Sequence, residues 1–258
     1  MSSTPVPFYF DSTFWTAVAA VVAFLALVLS QFPPVRVLLR QTRLSMQPYD
    51  RLNVTDRLGN PNVNLHVQLL NTGGRLVRVR SLVLDLSPDD GPKFSLPAQM
   101  YTRADGTPGN FLFTPFGLEP DKEWANFVNF FIPFNMNDER TSKQLIKELK
   151  ADIAVKLRSQ TQEVRERKEL VEGDARCVEK LQEFYKSNKR WKTGEYTAVL
   201  KLQCEPEQAS QVRTFRFTLF EADIQELDER ASRYKIGAGV YYTDAELTEV
   251  FPRIKDLD

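Results

Sequence analysis

The sequence predicts a mainly β domain of the sandwich class, with a few inserted helices, behind one N-terminal membrane-spanning helix. Three observations carry this expectation. Residues 12–32 are apolar and uncharged; about seven to nine short alternating segments are separated by turn residues; and several stretches repeat apolar residues at helical spacing.

The run from Phe14 through Leu29 meets the roughly 20-residue requirement of a span when counted from Ser12 to Gln31. Phe14 and Trp15 stand where rings favour the interface, Pro33-Pro34 ends the helix, and Val21, Phe24, Leu25 and Leu29 supply the apolar body. A signal peptide would carry a basic start, whereas the first 13 residues hold Asp11 and no Lys or Arg. Arg36, Arg40 and Arg43 follow the span, so the chain is expected single-pass, with the N-terminus outside and the C-terminal domain cytoplasmic. The bilayer is thus an expected partner, and each of these arginines adds about 1 kcal/mol of attraction if it reaches anionic lipid. The implied division is a tail at 1–11, the span at 12–32, a connector at 33–42 and one domain at 43–258.

Within that domain, Leu44 to Thr55 reads as an edge strand interrupted by Pro48. Residues 64–70 and 77–86 alternate on either side of Asn71-Thr-Gly-Gly and read as a hairpin. Asp89-Asp-Gly-Pro makes a turn, and 111–113 and 125–132 are further apolar runs of strand length. Residues 152–158 alternate and are expected to be a strand, with a partner after Gln160-Thr161; 194–202 and 214–220 form a pair around Pro206. Helical spacing marks 138–150, 174–188 and 222–234, and Thr243-Asp-Ala-Glu resembles a capped helix start. The Asn71-Thr-Gly-Gly turn and the Gly194-Glu-Tyr strand start resemble features of many bacterial immunoglobulin-like domains over about a third of the chain. The resemblance implies an immunoglobulin-like β-sandwich.

Chemistry is sparse. Lys+Arg and Asp+Glu are equal at 34 each, so no overall field draws nucleic acid, which is not expected as a partner. The single histidine, His66, excludes sites that need several imidazoles, and it lies on the polar parity of its strand. Cys177 and Cys204 read as small buried hydrophobes. No phosphate-loop, dinucleotide or nucleophile-elbow pattern occurs, so no catalytic residue, metal or cofactor is expected and the protein is read as a non-enzyme. The basic segment Lys186–Lys192 reads as a helix end, with Trp191 as an alternative stacking face.

The densest aromatic segment lies between residues 111 and 134. Phe111, Phe113, Phe116, Trp124 and Phe130 are the candidate interaction patch, because strand parity cannot bury both faces of 127–132. The expected function is membrane-anchored docking of a protein partner, with a small-molecule or glycan module at loop 101–110 as the alternative. Small residues along the span leave homo-oligomerisation open.

Overall fold

Alternation of apolar and polar residues builds ten strands: β1 (Leu44–Arg57), β2 (Asn60–Asn71), β3 (Val77–Pro88), β4 (Phe94–Arg103), β5 (Asn110–Leu112), β6 (Phe116–Leu118), β7 (Glu123–Phe131), β8 (Gly194–Glu205), β9 (Gln211–Leu219) and β10 (Lys255–Asp256). The computed structural model describes residues 12–31, 40–160, 170–240 and 249–257. The strands form one antiparallel sheet in the order β1-β2-β7-β4-β3-β8-β9-β10, with β5 on β4 and β6 on β3. In β2 every second side chain, including Val63, Leu65, Val67 and Leu69, points inward and is fully buried. The interior is filled by such residues from every long strand, together with Trp191, Phe215 and Phe130.

The sheet curls nearly into a barrel, and the C-terminal segment draws its two ends together. Val54 and Val250 exchange backbone hydrogen bonds at 2.8 and 3.0 Å, and Ile254 N–H donates to the Asp50 carbonyl at 2.8 Å. A few residues on, Lys255 and Asp256 pair with Arg216 and Phe215 of β9. One segment therefore covers the open rims of β1 and β9, which would otherwise expose unpaired backbone groups.

This arrangement corrects several expectations. The protein is mainly β with inserted helices, but its strands lie in one continuous curled sheet in place of the two facing sheets of an immunoglobulin-like sandwich. β2 and β3 do not form a hairpin: β2 pairs with β1 and β7, and β3 with β4, β6 and β8. The connection is a corner. Asn71, fully buried, donates to the carbonyls of Arg75 and Leu118 and accepts from Gly73 N–H, turning the chain away instead of back. The alternating segment 152–158 is helical and forms the last two turns of the helix Met136–Ser159. The strand expected after Gln160-Thr161 and the helix start at Thr243 lie outside the described residues.

Three helices cap the sheet: α2 (Met136–Ser159), α3 (Ala175–Asn188) and α4 (Glu221–Ser232). Asn135 and Asp174 cap α2 and α3 by accepting backbone N–H groups of the first turn. Leu145, Leu149 and Ile153 of α2 and Val178, Leu181 and Tyr185 of α3 form a second apolar cluster. In α4, Leu227 belongs to the barrel core and Ala231 to the helical cluster, so this helix joins the two.

Preceding all of this, α1 (Ser12–Gln31) carries no charged residue. Its described side chains, residues 14–28, are mostly exposed, including Trp15 at 60%, Val21 at 59% and Phe24 at 64%. Among the described residues no helix is long and apolar enough to cross a membrane.

Candidate functional site

The outer face of β1, β2 and β7 departs from an ordinary solvated sheet surface. Cross-strand register places Asn53, Asn64 and Asn129 side by side on three neighbouring strands, and the pairing of the C-terminal segment sets Phe251 beside Asn53. Asn62 lies one pleat along. The Oδ1 atoms of Asn53, Asn62, Asn64 and Asn129 are buried and accept no hydrogen bond among the described residues. Leaving a buried acceptor unpaired costs about 1–3 kcal/mol, so four on one face set it apart from the rest of the sheet. Asn53 is fixed in orientation, because its Nδ2 donates to Glu249 Oε2 at 2.7 Å.

Two cavities flank this asparagine row. One, of about 220 Å³, is lined by Tyr49, Arg51, Asn53, Asn64, His66 and Phe127, with Phe251 at its rim. It lies beside a bulge of β1 between Pro48 and Leu52, where Pro48 cannot donate to the ladder. His66 meets Tyr49 and Phe127 edge-on, with ring centroids 6.4 and 5.0 Å away. Phe127 is 44% exposed, Tyr49 58% and Phe251 54%. The other cavity, of about 360 Å³, lies where α2 leans over the sheet, between Arg57, Asn62, Asn129, Phe134, Glu139 and Lys143. Its hydrogen bond and charge hold the Glu139 carboxyl below the usual range, through Lys143.

Beneath this face a buried polar network fastens the helices to the sheet. The β1–β2 turn has Leu58 at φ 53° and Gly59 at φ 83°. Asp56 accepts from Gly59 N–H at 3.0 Å and lies 3.4 Å from the Tyr185 hydroxyl, which donates to Asp228 at 3.0 Å. Lys189 closes the chain on Asp228 at 2.7 Å, and Arg230 Nη1 donates to the Asp56 carbonyl at 2.7 Å. Burial raises the Asp56 carboxyl above its ordinary range and drives the Tyr185 and Tyr234 phenols far above theirs. These groups hold elements together and face no cavity described above.

The sequence-predicted residues disperse. Phe130 is fully buried in the barrel and offers no surface. Phe113, Phe116 and Trp124 are partly buried against the core, with Trp124 stacked on Phe116 at 5.1 Å. Phe111 stacks on Tyr101 at 5.4 Å under the Arg103 guanidinium. These rings meet one another through Tyr101 and Trp124 against the core, and the well-exposed ring of that region is Phe127. Neither of these two cavities is lined by a residue of the loop 101–110. Trp191 is 1% exposed, packs edge-on to Phe94 and Tyr196, and donates to the Thr55 carbonyl at 2.8 Å, so its face is unavailable for stacking a base.

Arg40 pairs with Asp121 at 2.7 Å, and the Arg43 carbonyl accepts from Gly73 N–H, so both belong to the barrel rim. Arg36 and the Leu29 side chain lie outside the described residues; Phe14, Trp15, Val21, Phe24 and Leu25 lie on α1. Cys177 and Cys204 are free thiols, and burial pushes Cys204 up to about 11, away from thiolate reactivity. Sequence reasoning missed the asparagine row, whose one visible signal is Asn60, Asn62 and Asn64 at alternate positions.

Among the described residues no carboxylate lines the His66 cavity. Among the described residues, no three of His, Cys, Asp or Glu gather as metal ligands. Comparison with known protein families, with curated proteins and with solved structures finds no match.

Proposed function

We propose that this protein is a non-catalytic docking module tethered to a membrane, and that the outer face of β1, β2 and β7 receives a polypeptide partner. The tether rests on sequence: 12–32 is uncharged and apolar, and Arg36, Arg40 and Arg43 follow it, which favours a cytoplasmic domain. The carrying observation for docking is the set of four unpartnered asparagine oxygens flanked by the exposed rings of Tyr49, Phe127 and Phe251. A partner that lays apolar surface on the rings and offers hydrogen-bond donors toward which the asparagine amides turn satisfies both, as in the centre of an ordinary protein interface.

A photo-crosslinking residue at Phe127 in the full-length, membrane-embedded protein tests this. The expected outcome is one discrete polypeptide adduct that weakens with Asn64→Lys and is missing from a probe placed at exposed Met136. Equal labelling from both positions, or none from Phe127, contradicts it. The cavity beside His66 favours a second reading, capture of a hydroxylated ring between aromatic walls and amide acceptors. That reading calls for a saturable small-molecule response in place of an adduct.

A further inference from the structure

The seam where the C-terminal segment closes the sheet carries like charges in facing positions. Arg51 of β1 is bridged to Arg253, and Lys255 of β10 stands opposite Arg216 of β9. Each pair points outward, because Leu52, Val54, Val250, Phe215 and Phe217 take the inward positions of the same stretches. Like charges directly opposite on neighbouring strands destabilise a sheet. Here two such pairs adjoin, and all four cations line one open cavity of about 420 Å³.

Neutralisation by the described residues is partial. Two carboxylates line the cavity, Glu195 and Asp223. Glu195 is engaged with Arg216 at 2.9 Å, and Asp223 accepts the Phe220 N–H at 2.7 Å, capping α4. Arg51, Arg253 and Lys255 form no ion pair among the described residues. Four cations against two carboxylates leave an excess of two positive charges, which a phosphate group, at about −1.5 to −2 near pH 7, matches. Three planar guanidinium forks and one ammonium suit an ion with several equivalent oxygens. Phe220, 66% exposed, and Phe251 flank the cations with apolar surface.

We propose that Arg51, Arg216, Arg253 and Lys255 form a binding site for a phosphate group, supplied either as the free ion or as the phosphomonoester headgroup of a phospholipid such as phosphatidic acid. The site goes beyond the docking reading: it shares Arg51 and Phe251 with the His66 cavity but needs no polypeptide partner, so either proposal can fail alone.

The test uses the full-length protein in nanodiscs of neutral phosphatidylcholine, with melting followed against inorganic phosphate and against chloride at equal ionic strength. The double variant R253Q/K255Q removes one member of each facing pair at exposed positions. Without phosphate it is expected to melt about 2 °C or more above wild type, because repulsion is relieved. Wild type is expected to gain stability saturably with phosphate and not with chloride, and the variant to need at least about tenfold more phosphate. Discs containing phosphatidic acid separate the sources. If the headgroup is the ligand, wild type melts higher in them and added phosphate does nothing more; if free phosphate is the ligand, the titration is unchanged. The proposal is overturned if wild type and variant respond alike to phosphate and alike to phosphatidic acid.

Discussion

At the residue scale, Asp56 makes stability depend on pH in an unusual direction. Burial, the largest influence, raises its carboxyl above the ordinary value of 3.8, against the opposing Gly59 N–H, Arg230 and Tyr185, and with the nearby Asp228 adding to the rise. The folded state therefore holds its proton more tightly than the unfolded chain. The contribution of Asp56 is most favourable below the unfolded value and falls as pH rises through the folded one. Asp56→Asn keeps an acceptor for Gly59 N–H and removes this titration, so chemical denaturation from pH 4 to 8 should show a shallower loss of stability with pH in the variant. Gly59 admits a sharper expectation. At φ 83°, an added Cβ would stand 2.2 Å from the Tyr185 carbonyl oxygen and 2.9 Å from Lys189 N. Gly59→Ala should cost about 3 kcal/mol or more in a denaturant midpoint. The sequence revealed neither partner, because Asp56 and Tyr185 lie 129 positions apart. It did reveal the outward parity of His66, a local property of alternation.

At the element scale, local pattern served where one period dominated. The alternation of β2, β8 and β9 and the apolar stripes of α3 and α4 are legible in the residues. Residues 152–158 satisfy a strand template as well as a helix template; the helix prevails because Ile153 continues the stripe of Leu145 and Leu149 at four-residue spacing and buries completely. The Asn71-Thr-Gly-Gly turn misled for another reason: the Asn71 amide spends its hydrogen bonds on Arg75, Gly73 and the distant Leu118, a use that no local pattern discloses. The C-terminal segment is the element whose loss should be felt most widely. Val250 is 3% exposed and exchanges two backbone hydrogen bonds with Val54. Val250→Asp buries an unpaired carboxyl and should cost about 3–4 kcal/mol. Hydrogen exchange should then quicken at the Leu52 and Val54 amides, which donate to Pro252 and Val250.

At the scale of the whole molecule, the composition of strands and helices follows from the sequence, but closure does not. Pairing of β2 with β7 and of β3 with β8 brings together residues more than fifty positions apart, and such contacts leave no periodic trace. Closure is also what makes the site, since Glu249 and Phe251 reach Asn53 through the segment that seals the barrel. On the proposed function, the asparagine-lined outer face is covered by a partner at the membrane. Hydroxyl-radical footprinting of the full-length protein, in its own membranes and after purification, tests it most directly. Oxidation of Tyr49, Phe127 and Phe251 is expected to be several-fold slower in the membranes, while Met136, 86% exposed on α2, reacts equally in both. Equal rates at all four residues would contradict it.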